Sequence, residues 1–312
     1  MKYRVLGKTQ LKVSEIAFGG AAISGEGGGY GFGDITEVES EKLLKAALER
    51  GINFFDTAPI YGFGLSEQRL GKAFKKMRDK VILVSKCGVT WHENKRVDMN
   101  NSAKVTQKML EQSLRDLQTD YIDLYMVHWP DARVDIRETV EVLAKAQMQN
   151  KIRYIGLCNT FEEDYHKASE VAEISVFQSE FSLTQSAVES NLFPLCEKNN
   201  IGFMSWGTLD KGILTGRVIE ERKFDASDCR SWAPWWNKKE VLVKVEKVKK
   251  LKAFLQDKDY DLLTSALAYN LSFKNVSSAI CGVRNLGQLE SLLEAHSQVE
   301  KVAVAKVKEF FL

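Results

Sequence analysis

The chain has 312 residues, 44% of them hydrophobic and 28% charged, with a formal net charge of +2; it can bury a large core and has the composition of an ordinary globule. The near-neutral balance excludes a nucleic-acid stripe or a polyanionic partner, no apolar run is long enough for a membrane, and Met1-Lys2-Tyr3-Arg4-Val5-Leu6-Gly7 lacks the apolar centre of a signal peptide. The five cysteines (Cys87, Cys158, Cys196, Cys229, Cys281) are scattered without short pair spacing, which predicts reduced thiols in a cytoplasmic protein rather than a disulfide frame or a zinc site.

Residues 2–13 predict a β-hairpin, two short strands around Gly7-Lys8-Thr9-Gln10. Gly7-Lys8-Thr9 itself reads as a turn, not as the tail of a phosphate loop. Apolar strands then alternate with stretches of helical period. The strands are Ile16–Gly19, Ile52–Phe55, Val81–Ser85, Ile122–Val127, Ile152–Leu157, Ser175–Gln178, Gly202–Ser205 and Ala279–Gly282. The helical stretches between them include Glu39–Arg50, Ser66–Lys76, Ala103–Leu117, Ile136–Gln149, Phe161–Ala172 and Ala187–Asn199. Thr36 with Glu39 three residues on, and Ser66 ahead of Gln68-Arg69, read as helix N-caps. Lys238 to Lys252 reads as a solvated helix face.

Eight strands, each apolar on both faces and each followed by helix, predict an α/β fold: a parallel sheet closed into a (β/α)8 TIM barrel, with residues 1–312 as one domain. An open doubly wound sheet would place G-x-G-x-x-G after its first strand. The glycine-rich stretch Gly25–Gly33 has no window with that spacing and reads as a loop at the barrel mouth. Leu209–Asn237 is long for a connection and carries Trp232, Pro234, Trp235 and Trp236; long loops in compact domains are often functional.

Four polar residues stand out against this pattern. Asp56, Lys86 and His128 each end an apolar run, and Tyr61 lies just past the first of them. Polar groups at the same end of successive strands are how a barrel enzyme assembles a site. Singly, each has a plainer role: Asp56 a turn cap, Tyr61 a loop aromatic against Phe63, Lys86 a snorkelling strand end, His128 a satisfied core histidine. Together they can deliver a proton to a carbonyl oxygen that receives a hydride. A buried Lys86 beside Tyr61 lowers the phenol pKa, Asp56 holds Lys86 charged, and His128 donates a hydrogen bond to the substrate oxygen. Lys86 and His128 supply the positive charge in this scheme, so no metal is called for.

Phe55-Asp56-Thr57-Ala58 with Tyr61-Gly62 and Ser66-Glu67, then Ser85-Lys86, Leu117-Gln118-Thr119-Asp120-Tyr121-Ile122-Asp123-Leu124 and His128-Trp129-Pro130-Asp131, resemble the aldo-keto reductase superfamily over nearly the whole chain. The resemblance is strongest to the bacterial general-stress, inositol-operon type of reductase, which is also similar to potassium-channel β subunits. It implies the barrel, a hairpin closing its bottom and a nicotinamide cofactor (NADPH/NADP) lying across its top. It makes Tyr61 the general acid, tuned by Lys86 and Asp56, with His128 orienting the carbonyl.

The same resemblance implies a cofactor set. Asn159 and Gln178 hold the carboxamide, and Trp206 stacks on the nicotinamide. Gly207, Thr208, Leu209, Lys211 and Gly212 wrap the pyrophosphate, which Arg217 reaches. Gly282, Val283, Arg284 and Gln288 match the adenosine end, and Gly20, Ala21 and Asp56 join the cofactor side. Arg284, just before a helix starting near Leu286, makes a phosphate site that favours NADPH over NADH. Cys158 and Leu292 depart from the pattern, in place of serine and asparagine, and bear on affinity.

The expected function is NADPH-dependent reduction of aldehydes or ketones, or the reverse oxidation, on a small-molecule carbonyl or alcohol substrate. Trp91 and Trp129 join Tyr61 and His128 on the substrate side, with Tyr30 and the Trp232–Trp236 group around the mouth. A cofactor-sensing regulatory subunit with little turnover is the alternative. A metal-dependent barrel hydrolase is disfavoured, since only His128 of the four histidines ends a strand.

Overall fold

The computed structural model describes residues 1–25 and 29–312. In chain order the elements are β1 (Tyr3–Val5), β2 (Lys12–Ser14), β3 (Ile16–Gly19), α1 (Glu37–Glu49), β4 (Phe54–Asp56), α2 (Leu65–Phe74), β5 (Ile82–Cys87), β6 (Val89–Trp91), β7 (Val97–Met99), α3 (Ala103–Asp116), β8 (Ile122–Val127), α4 (Ile136–Met148), β9 (Ile152–Cys158), α5 (Glu162–Ser169), β10 (Ile174–Glu180), α6 (Val188–Asn199), β11 (Gly202–Trp206), α7 (Lys238–Phe254), α8 (Leu262–Ser272), β12 (Val276–Cys281), α9 (Leu286–Ser297) and α10 (Val304–Lys308). β3, β4, β5, β8, β9, β10, β11 and β12 close in that order into one barrel. Neighbouring barrel strands are parallel all the way round, as the alternating apolar runs predict.

The period-two alternation of each strand sorts its side chains into two cores. Inside the barrel lie Ala17, Phe54, Val84, Leu124, Met126, Val176, Met204 and Ile280, with Leu6, Leu11 and Val13 closing the bottom. The other parity, including Phe18, Phe55, Leu83, Cys87, Tyr125, Val127, Phe177 and Phe203, packs outward against the helices. Leu6, Leu11 and Val13 come from the antiparallel β1–β2 hairpin, which plugs the barrel floor. Gly7 makes the approach possible: its φ is +56°, and a Cβ there would stand 2.1 Å from Gly202 N. Arg4 ties the plug down. Its Nε donates to Glu15 Oε1 at 2.7 Å, and its terminal nitrogens donate to the carbonyls of Val276 (2.7 Å) and Leu271 (2.8 Å).

The structure departs from the sequence reading in definite places. Thr36 is an N-cap, with a reciprocal capping box to Glu39. Ser66 is not: α2 begins at Leu65 after the left-handed Gly64, and the Ser66 hydroxyl donates instead to Gly20 O at 2.9 Å. The helix ends at Phe74 and gives way to a 3-10 turn over Lys75–Lys80. β12 begins three residues before its predicted start. The short β6–β7 hairpin follows Lys86 without any period of its own. α8 also lacks a stripe, because nearly all of its residues are buried and a helix covered on every side shows no polar face. The Lys238–Lys252 stretch is helical and buries only Val248 and Leu251. Gly29 packs at the mouth, its O accepting from Gly62 N at 3.1 Å; residues 26–28 of the glycine-rich stretch lie outside the described residues.

Candidate active site

The inward-facing set at the carboxyl end of the barrel is polar. Val84 faces inward, so Lys86 does too; by the same parity Phe54 leads to Asp56, Met126 to His128, Val176 to Gln178, and Met204 to Trp206. Asn159 has the wrong parity for this set, since Leu157 packs outward. A left-handed backbone at Asn159, φ 55°, brings its side chain into the site; asparagine tolerates that conformation better than most residues.

At the centre the Lys86 Nζ donates to Asp56 Oδ1 at 2.7 Å and to Thr57 O at 2.9 Å. Lys86 is wholly buried and Asp56 nearly so. A buried ammonium persists only when paired and hydrogen-bonded, and these partners supply both. Gln178 Nε2 donates to the same Asp56 oxygen at 2.8 Å. The Lys86 Nζ lies 5.5 Å from the Tyr61 ring centroid, and Tyr61 meets the His128 ring edge-on at 5.9 Å. The four residues singled out by their strand-end positions thus form one contact cluster.

Their titration follows the burial. Burial works against the Lys86 ammonium, but the Asp56 carboxylate and the Tyr61 phenol outweigh it and hold its pKa above the ordinary value. Burial raises the Tyr61 phenol, while Lys86 pulls the other way. Burial, and then Lys86, push His128 well below the ordinary imidazole range. Two sequence expectations change as a result. Tyr61 ends above its ordinary pKa although Lys86 lowers it, and His128 is neutral, so of these four residues Lys86 carries the positive charge.

A second hydrogen-bonded chain runs along one side. Trp206 Nε1 donates to Asn159 Oδ1 at 2.9 Å, Asn159 Nδ2 donates to His128 O at 3.0 Å, and Cys158 Sγ donates to Gln178 Oε1 at 3.4 Å. The loop after β11 carries Gly207, Thr208, Leu209, Lys211 and Gly212. Asp210, Lys211 and Gly212 all have positive φ, a run that only a loop fixed from outside sustains. Glu180 supplies part of that fixing through its ion pair with the Lys211 ammonium. Arg230 supplies more, donating to Lys211 O at 2.8 Å. The Lys211 Nζ lies 5.5 Å from the Trp206 centroid and 5.7 Å from that of Trp235.

On the next two strands round the barrel, Gly282, Val283 and Arg284 follow β12, and Gly20 and Ala21 start a 3-10 turn directly after β3. The Arg284 guanidinium donates to Asp34 O, its backbone N to Gln288 Oε1 at 2.9 Å, and its buried Nε has no partner among the described residues. Some expected positions are less exposed than their proposed role suggests. Thr208 and Val283 are buried, and the Thr208 hydroxyl donates to Ser205 O at 3.4 Å. Arg217 is exposed beyond Gly216. On the outer rim Trp91 stands 5.2 Å from Phe63, and Tyr30 stands 5.7 Å from Trp232. Trp91, Trp129, Trp232 and Trp235 are all exposed.

A model described as the aldo/keto reductase family matches residues 15–310. The chain belongs to the aldo/keto reductase family. Aldo/keto reductases are oxidoreductases that use a nicotinamide cofactor on small molecules. Among relatives, this aldo/keto reductase is 37% identical to aldo-keto reductase YhdN of Bacillus subtilis (strain 168) over 299 residues, covering 94% of this chain and 88% of that protein. It is 30% identical to the NADH-specific methylglyoxal reductase of Escherichia coli (strain K12), covering 90% of this chain and 89% of that protein. The solved glycerol dehydrogenase AKR11B4 from Gluconobacter oxydans superposes with a TM-score of 0.81 at 27% identity, covering 96% of this chain and 94% of that one.

One feature of this aldo/keto reductase suits the anionic part of such a cofactor. The Arg284 side chain has a buried nitrogen to spare, and it stands just before the N-terminus of α9, where anions are favoured. Sequence reasoning missed Glu180 and Arg230. Glu180 lies two residues past Gln178, yet nothing in the local pattern shows that it meets Lys211. Arg230 is held by Asp228 at 2.9 Å within an irregular segment. Among the described residues, no three of His, Cys, Asp and Glu group as metal ligands, and no helix is long and apolar enough to cross a membrane.

Proposed function

We propose that the protein reduces aldehydes or ketones to alcohols with NADPH, using residues 1–312 as one catalytic domain with Tyr61 as general acid. The observation that carries this reading is the contact of Tyr61 with a buried, paired Lys86 on one side and a neutral His128 on the other. Tyr61 releases a proton to the developing alkoxide. The Lys86 ammonium, held by Asp56, stabilises the tyrosinate left behind. Neutral His128 orients the carbonyl oxygen by donating a ring N–H to it. The nicotinamide supplies the hydride when bound. In the oxidative direction the same phenolate accepts the proton.

Asn159, Gln178 and Trp206 are the residues to hold the nicotinamide end, Gly20, Ala21, Gly207–Gly212 and Arg217 the middle, and Gly282, Val283, Arg284 and Gln288 the adenosine end. Arg284 is the residue that favours NADPH. One relative carries NADH specificity in its name, so this preference is a property to be measured. Trp91 and Trp129 flank the substrate beside Tyr61 and His128. The test is purified protein with NADPH or NADH and a panel of sugar, aromatic and short-chain carbonyls. Oxidation of NADPH by at least one carbonyl, undiminished by a chelator, is the expected result. Tight NADPH binding without turnover on any of them would favour a cofactor-sensing subunit.

A further inference from the structure

The proton path from Tyr61 uses Asp56, Lys86 and His128, and it leaves one wholly buried carboxyl unused. Glu67 is on α2, two residues into the helix. Its Oε1 accepts a hydrogen bond from Ser85 Oγ at 2.6 Å, and its Oε2 has no partner among the described residues. A wholly buried carboxyl whose polar neighbours are the neutral hydroxyls of Ser85 and Ser113, with no cation bonded to it among the described residues, is costly to keep as a structural anchor alone.

Its place relative to the site is set by strand parity. Ser85 and Lys86 are consecutive on β5, so their side chains leave opposite faces. Lys86 enters the barrel toward Asp56 and Tyr61, and Ser85 leaves it toward Glu67. The charged or titratable groups around Glu67 among the described residues are Lys86 from β5, Asp116 from α3 and Tyr125 from β8, with Ser113 of α3 as a polar neighbour. On its own helix, Arg69 donates to the carbonyls of Ile23 and Ile35. Lys86 points away from Glu67, and among the described residues it is the cation whose charge reaches the carboxyl, through space across β5. Burial lifts the carboxyl, the hydroxyls of Ser85 and Ser113 and then Lys86 restrain it, Asp116 adds to the rise, and it comes to about 7.

We propose that Glu67 is a positioning residue for carbonyl reduction: its carboxylate steadies the Lys86 ammonium from behind β5, and its protonation frees Lys86 to make Tyr61 a stronger acid. The proposal rests on the reading of Tyr61 as general acid. The sign follows from charge. A negative group near the Lys86–Tyr61 pair opposes formation of the tyrosinate, so reduction slows as Glu67 ionises and quickens as it takes up a proton.

The experiment is the pH profile of kcat for NADPH-dependent reduction, measured on the full chain and on Glu67→Gln, which keeps the shape and removes the charge. Wild type should fall by about two- to fivefold as pH rises through neutrality. Glu67→Gln should be flat at the acidic plateau, and therefore faster than wild type at alkaline pH. A residue that only anchors α2 predicts the opposite, a variant slower at every pH. Ser85→Ala removes the hydrogen bond that favours the carboxylate and should move the inflection to higher pH; this variant keeps the test open if Glu67→Gln does not fold. An inflection that survives in Glu67→Gln, or stays in place in Ser85→Ala, overturns the proposal while leaving the reductase reading intact. A wild type that reduces no carbonyl overturns both.

Discussion

The barrel carries a buried ion pair at each end, and the two are built differently. On the floor, Glu15 takes Arg4 Nε at 2.7 Å on one oxygen and His296 Nε2 at 2.8 Å on the other, while Arg4 spends its remaining nitrogens on backbone carbonyls. At the mouth, Asp56 takes both Lys86 and Gln178 on a single oxygen, and the cluster continues into the Tyr61 and His128 rings. The floor pair is closed: its partners are all protein groups, and it locks the β1–β2 plug to the strands above. The mouth pair is open-ended: beyond Gln178 it continues to the Tyr61 and His128 rings, the groups that the proposed function directs at a substrate. Ion pairs of the same chemical kind thus serve stability where every acceptor is used and chemistry where the geometry is left incomplete.

The largest effect should come from neutralising the mouth pair together. Lys86→Met with Asp56→Asn removes both charges, so neither is stranded. We expect kcat for carbonyl reduction to fall by about 10²–10⁴-fold, the range for losing a tuned acid–base group, with a melting temperature close to wild type. A large loss of stability with activity per folded molecule retained would reverse the roles of the two ends.

The floor pair should behave in the opposite way. His296 and Arg4 overcome the effect of burial and bring Glu15 from 4.5 to about 2. A carboxyl depressed on folding contributes stability above its unfolded pKa and loses it as pH falls toward the folded one. Glu15→Gln should therefore cost about 3 kcal/mol at neutral pH, and the gap to wild type should close as pH drops from near 4.5 to about 2. Denaturant unfolding at several pH values measures it. Reduction kinetics at neutral pH should be unchanged.

A smaller effect tests the far end of the groove. Arg284→Ala should weaken NADPH by about tenfold, the order of a lost charge-assisted hydrogen bond, and leave NADH nearly unchanged. Fluorescence titration with the two nucleotides reads the ratio. Equal losses would remove Arg284 from 2′-phosphate recognition.

Much of the mouth was legible because a strand end fixes both place and direction. Asp56, Lys86 and His128 follow apolar runs whose parity points them inward, so residue type and position sufficed; Gln178 shares that parity but was assigned through the resemblance. Asn159 has the wrong parity and was found only through the resemblance; its left-handed φ is a backbone property that no periodic pattern displays. Ser66 and Glu67 sit on a helix whose contact face points at the barrel wall, and a buried hydroxyl there looks like a cap in sequence. α8 was illegible because burial on all sides leaves no stripe. The charge state of His128 was misjudged for a related reason: proximity to Lys86 suggested a shared positive charge, whereas burial and that same ammonium both disfavour the imidazolium.

The proton donor is the centre of this account. Tyr61→Phe keeps the ring against His128 and beside Lys86 and removes only the hydroxyl. Measured with a carbonyl that wild type reduces, alongside NADPH binding by fluorescence, it should lose about 10²–10⁴-fold or more in kcat with nucleotide affinity preserved. A variant that keeps a substantial fraction of the wild-type rate while binding NADPH normally would contradict the assignment of Tyr61 as general acid.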